Sequence, residues 1–168
     1  MLQTARAFLR AAWVATVVIG VAQAQSVPDR VSNVEKASAE IAAIQAKNGA
    51  DGAFAAINEC YKREVARATT SLTRELEACM AQDIIISKVS AAFYAQLSAR
   101  LPPEARKKGG SPDPEVIMKA MTQRVLGTFS RFKVREPEAT AFGQIVETKG
   151  MEAYGRARFP GQYPAKKD

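Results

Sequence analysis

The stretch CYKREVARATTSLTRELEAC, Cys60 to Cys79, holds both cysteines of the chain, and its geometry decides the fold. Read as one straight helix, it separates two cysteines 19 positions apart by about 28 Å at 1.5 Å per residue. A disulfide needs α-carbons within about 7 Å, so a rod forbids an internal bridge. A hairpin permits one. Its turn would fall at Thr69-Thr70-Ser71, where hydroxyl and β-branched side chains suit turns and caps better than helix interiors. Folded there, Val65 meets Leu72, Tyr61 meets Leu76, Ile57 meets Met80 and Phe54 meets Ile84, with Cys60 opposite Cys79. One feature speaks for the rod: the apolar stripe keeps helical phase through Ala68 and Leu72. The hairpin implies a monomer with a structural disulfide that contributes about 3 kcal/mol by closing the loop. The rod implies a coiled-coil dimer with free or intermolecular thiols.

Outward from the cysteines, no glycine or proline occurs from Ala53 to Leu101, Asp51 can cap the start, and Pro102-Pro103 ends the run. Phe54, Ile57, Tyr61, Val65, Ala68, Leu72, Leu76 and Cys79 recur at steps of three and four. Ile84, Ile85, Ile86, Val89, Phe93, Tyr94 and Leu97 continue the stripe, so the whole stretch reads as helix with this face toward a core. Before it, Ser26 to Ala50 reads as a first helix. Ser26 and Asp29 resemble a capping box, Val27, Val31, Val34, Ile41 and Ile44 form a stripe with Ser38 in its gap, and Asn48-Gly49 stops it.

Residues 102–115 are rich in proline and glycine and read as a linker. Beyond it, residues 116–158 carry the C-terminal helices. Asp113 and Pro114 start one whose inner face is Ile117, Met121, Val125 and Phe129. Pro137 opens the next, with Phe142, Ile145 and Val146 inward and Gly150 closing it, and a short last helix follows from Met151. The expected fold is therefore all-α: one small helical domain over 25–158, built on a disulfide-stapled antiparallel α-hairpin within 25–101. A flexible basic tail, 159–168, completes the chain.

The first 24 residues read as an address. Arg6 and Arg10 precede an apolar run from Ala11 to Val21, and Ala22-Gln23-Ala24 has the small-x-small pattern of a signal-peptidase site. The run is about half of what a membrane-spanning helix needs. It predicts Sec-type export to the periplasm or the medium, with cleavage between Ala24 and Gln25; an amphipathic mitochondrial presequence fits a solid apolar block less well, and an uncleaved tether is the other alternative. An oxidising compartment agrees with a disulfide.

Beyond the leader, 22 basic face 17 acidic side chains, spread along the chain. That mild excess on no single element predicts no nucleic-acid partner. The chain has no histidine, which removes Ser-His-Asp and Cys-His catalysis and imidazole metal ligands. Ser130 and Lys133 match a Ser-x-x-Lys pattern, but its companion motifs are missing. Glu75 and Glu77, and Glu136 and Glu138, stand two apart, on different faces of a helix. Two cysteines alone make no zinc site. The sequence thus predicts no catalytic residue, cofactor or metal, and a structural Cys60–Cys79 pair. In the tail, Tyr154, Phe159 and Tyr163 interleave with Arg156, Arg158, Lys166 and Lys167, a composition that could contact an anionic partner or headgroups.

From Cys60 to Leu97, the stapled hairpin followed by Asp83 and the pair Phe93-Tyr94 resembles small exported lysozyme inhibitors, although their cysteine spacing is shorter and nothing after Pro102 matches. The resemblance carries over no functional residue. The expected function is a non-enzymatic binding or structural component of the cell envelope with a protein partner. The alternatives are an inhibitor or stress-protective factor acting on an exported partner, and a binder of anionic surfaces through the leader or tail.

Overall fold

Helix α1 spans Val27–Arg67, and Gly49 breaks it into arms 27–48 and 50–67. Gly49 has φ 71° and ψ −173°, a conformation that only glycine adopts without strain. A Cβ added there would meet nothing within 4 Å, so the backbone angle and not the space calls for glycine. The arms fold back on each other: Asn33 and Glu64 line one groove, whereas a straight helix would hold them about 46 Å apart. The chain is a computed structural model that describes residues 27–68, 70–102, 104 and 112–163. The leader with Ala24 and Gln25, most of the linker, and Lys166 and Lys167 lie outside the described residues.

Helical geometry ends at Arg67 and resumes in α2, Arg74–Arg100. Thr73 caps α2, its hydroxyl accepting from the Leu76 amide at 3.1 Å, and Glu75 and Glu77 sit in the positively polarised first turn. Cys60 is bonded to Cys79 with α-carbons 5.7 Å apart, so no straight helix joins them. The first arm of α1 lies on α2 as well. The Asn33 amide donates to the Arg74 carbonyl at 2.9 Å and that of Gln82 to the Ala37 carbonyl at 3.4 Å.

Helix α3 is Pro114–Arg131; Asp113 caps it by accepting from the Glu115 amide at 2.8 Å, with Pro114 in the first turn. Helix α4, Glu136–Ile145, runs through a π-helical turn, Val146–Gly150, directly into α5, Met151–Arg158. Here the expected stop at Gly150 is wrong. Its backbone stays helical at φ −64°, and its Cβ would stand 3.1 Å from Val34, Ser38 and Ile85 side-chain atoms. Gly150 is there to let a helix approach the core, not to end it.

The main core joins all of these elements. Val34 and Ile41 come from the first arm, Ile57 from the second, Met80 and Ile85 from α2, and Val125 and Phe129 from α3. Phe142, Val146 and Tyr154 close it, and Phe129 meets Phe142 edge-on at 5.8 Å. Ser38, in the gap of the first stripe, is fully buried and donates to the Val34 carbonyl at 2.6 Å. A smaller cluster wraps the disulfide: Ala68, Leu76 and Cys79, with Val65, Leu72 and Phe132 against them. The described residues contain no strand.

The core stripe expected along α2 runs out before its end. Phe93 is 58% and Leu97 38% exposed. This open end of the molecule is where the candidate site lies.

Candidate functional site

Three arrangements of polar or aromatic side chains stand out. The first is internal. Asp83 is fully buried on α2 and receives two guanidinium hydrogen bonds from Arg124 of α3, Nε to Oδ2 at 2.8 Å and Nη2 to Oδ1 at 2.7 Å. The Ser87 hydroxyl adds a third at 3.1 Å. This is the planar fork that guanidinium and carboxylate form best. The hydrogen bonds to Asp83 hold the Arg124 charge firmly in place, raising its pKa. The Tyr61 hydroxyl is buried beside Asp83. Burial first, and then the neighbouring Asp83 charge, push its phenol far above the ordinary range. With both oxygens engaged, the Asp83 carboxylate ties α3 to α2, and the Tyr61 phenol of the second arm of α1 keeps its proton beside it.

The second is a broad groove of about 710 Å³ between the two arms of α1 and α2. Lys36, Arg63 and Arg74 alternate along it with Glu40, Glu59 and Glu75. The signs interleave, so no net field develops. Glu64, 4% exposed on its floor, is held by Arg63 at 2.5 Å and Arg67 at 3.5 Å.

The third is the open end. Val89, Ser90, Phe93 and Tyr94 recur at steps of one, three and four, which places them on one side of α2. Gln45, Gly49 and Ala50 approach from the break in α1, and Tyr154, Arg158 and Phe159 from the end of α5. Between them lies a groove of about 280 Å³, close to the lower size of small-molecule sites. Phe93 and Tyr94 meet edge-on at 5.4 Å, and the Arg158 guanidinium lies over the Phe159 ring at 5.1 Å. The Tyr154 hydroxyl donates to Gln45 Oε1, and burial raises its pKa while Arg158 pulls it down. Among the described residues, no carboxylate lines this groove. Ser90 is 3% exposed, and its hydroxyl has no partner among the described residues.

The residues singled out in the sequence fall in different places. Cys60 and Cys79 are bonded to each other. Arg156 is taken up by Glu152 and, at 3.8 Å, by Glu35, whereas Arg158 has an aromatic face and no acidic partner among the described residues. Tyr163 is folded back, the far end of its ring lying against the place where a Cβ on Gly155 would stand. Ser130 sits in the last turn of α3, and Lys133 in the turn after it at φ 52°, so the two do not share a helix face. Glu77 turns inward to Arg30 at 2.7 Å, and Glu138 pairs with Arg135 at 2.6 Å. Asp83, part of the resemblance to lysozyme inhibitors, is sealed inside and presents nothing to a partner, whereas Phe93 beside Tyr94 stands in the open.

The reading of the sequence missed Gln45, Gly49, Ala50 and Ser90 as groove residues. The signal was present in part, since Asn48-Gly49 marked a break; what the break would face was not written there. Among the described residues, no group of three or more histidine, cysteine, aspartate or glutamate side chains could hold a metal ion, and no helix is long and apolar enough to cross a membrane. No protein-family model matches the chain, and no curated protein and no solved structure matches it.

Proposed function

We propose that this chain is an exported, non-enzymatic binding protein of the cell envelope, which holds its partner at the open end formed by α2, α5 and the break in α1. The observation that carries the reading is the aromatic groove itself, with Phe93 58% and Phe159 42% exposed beside Arg158, which has no acidic partner among the described residues. Exposed aromatic rings next to a cation are costly to leave in water without a use, and they are the side chains that dominate binding surfaces. The leader, with cleavage between Ala24 and Gln25, would deliver the chain to an oxidising compartment. There the Cys60–Cys79 bond would staple an antiparallel hairpin of the second arm of α1 and α2 and keep the groove walls in register.

Export is tested by fractionating cells that express the full chain and sequencing the N-terminus of the exported form. The expected start is Gln25, with no free thiol before reduction. Binding is tested by a photo-crosslinking residue at position 93, compared with one at Val116, which is as exposed but lies on α3 outside the groove. Adducts from an envelope extract are expected at 93 and not at 116. Equal labelling at both, or none at 93, would remove the groove from the proposal.

A further inference from the structure

We propose that the groove at the open end binds a single-chain aliphatic carboxylate, its head at Arg158 and Ser90 and its chain along Val89, Phe93 and Leu97. The inference rests on the binding reading above and names the chemistry of the ligand.

The charge of the site sets the head. Arg158 brings a full positive charge with no carboxylate set against it among the described residues, and no acidic side chain lines the groove. Gly49 and Ala50 add the start of the second arm of α1, where the first amide groups of a helix have no helical acceptors and favour a negative charge. Such an end is no site by itself. The independent observation is Ser90, which lines the same groove, is 3% exposed and has a hydroxyl with no hydrogen-bond partner among the described residues. A buried hydroxyl without a partner costs stability, and an acceptor bound beside it removes that cost once the side chain turns toward it. One guanidinium, one hydroxyl and a helix start suit a single negative charge. A doubly charged phosphate would be left under-neutralised as it lost water.

The walls set the body. Val89, Phe93, Tyr94, Tyr154 and Phe159 offer apolar surface, and Phe93 and Leu97, one turn apart, carry it beyond the groove along α2. From Val89 to Leu97 the helix advances about 12 Å, which suits an alkyl chain of medium length better than a compact ring. Burying that chain supplies most of the affinity, while Arg158 supplies the preference for an anion.

The test is titration calorimetry of the purified, oxidised protein with decanoate, decan-1-ol and decyltrimethylammonium, three probes with the same chain and different heads. Decanoate should bind once per chain, about tenfold more tightly than the alcohol, and the ammonium should bind most weakly. Arg158→Gln should bring decanoate to the affinity of the alcohol and leave the alcohol unchanged. Phe93→Asp should weaken both by about tenfold or more. Phe93 is exposed and Arg158 half-buried, and circular dichroism with a thiol count checks that each variant is folded and bridged. Equal binding of decanoate and decan-1-ol, an unaffected Arg158→Gln protein, or no saturable binding would each overturn the proposal. If decanoate fails while the crosslink at position 93 remains specific, the ligand class is wrong and the binding groove stands; if both fail, the binding reading falls with it.

Discussion

Arg124 on α3 places two guanidinium nitrogens 2.8 and 2.7 Å from the two oxygens of Asp83, a fully buried residue of α2. These contacts cross from the stapled part of the chain to the part beyond the linker. Removing one partner of a buried pair leaves an uncompensated charge and costs about 3–5 kcal/mol. The Arg124 side chain is 34% exposed, so Arg124→Met should fall near the lower end, about 3 kcal/mol, with Asp83 left behind. Asp83→Leu should cost a similar amount, and Asp83→Leu combined with Arg124→Met should cost much less than the two single changes together. Urea unfolding of the four proteins gives the coupling directly; additive costs would mean that the pair does not act as a unit.

Two glycines on the C-terminal helices should respond in opposite directions. Gly127 lies on the exposed side of α3, and a Cβ there meets nothing within 4 Å. Gly127→Ala should therefore stabilise by about 0.5–1 kcal/mol through helix propensity. At Gly150 a Cβ already stands 3.1 Å from three side-chain atoms of the core. Gly150→Val should cost about 1–3 kcal/mol or more through overpacking. Thermal unfolding of both variants checks the pair, and a stabilised Gly150→Val protein would refute the close approach.

Opening the disulfide should loosen the molecule without dismantling the rest of the core. The bridge closes a loop with a sequence separation of 19, for which chain entropy gives about 3 kcal/mol. Cys79 is fully buried among Ala68, Leu76 and Val65, so a serine there also buries a hydroxyl. Cys60→Ala with Cys79→Ala is the cleaner comparison and should cost about 2–4 kcal/mol in urea. Reduction of the native chain should lower the midpoint by a similar amount. No change on reduction would show that the cluster around the sulfurs holds without them.

What could be read in advance followed from local rules. The break at Asn48-Gly49, the loss of helix around Thr70 and Ser71, the Asp113-Pro114 start and the inner faces of α3 and α4 rest on turn chemistry and on a period of 3.6. Those signals lie within a few residues of their effects. Gly150 was misread because the same residue serves as a helix stop and as a gap for a neighbour, and only the neighbours at Val34 and Ile85 decide between them. Asp83 and Arg124 stand 41 positions apart, and no local rule joins them. Phe93 and Leu97 fit the apolar stripe of α2 as well as Ile85 does. Their exposure depends on which neighbours the packing places against them, and so the groove became visible only once the helices were packed.

Glu77 should give the protein a pH dependence opposite to that of an ordinary paired carboxylate. It is 3% exposed, Arg30 reaches only its Oε1 at 2.7 Å, and its Oε2 is buried without a partner. Burial raises its pKa above the usual 4.5, although Arg30 pulls it back. The folded chain then holds a proton that the unfolded chain has released, in the window that opens at 4.5 and ends at the raised value. The contribution of Glu77 to stability is therefore fully present below that window and declines as pH rises through it. Glu77→Gln keeps a side chain of the same shape beside Arg30 and removes the titration. The advantage of the native protein over Glu77→Gln should shrink as pH rises from about 4.5 toward neutrality. Urea midpoints for both proteins at matched ionic strength measure it, and an advantage that grew with pH would mean that the Arg30 charge outweighs the burial.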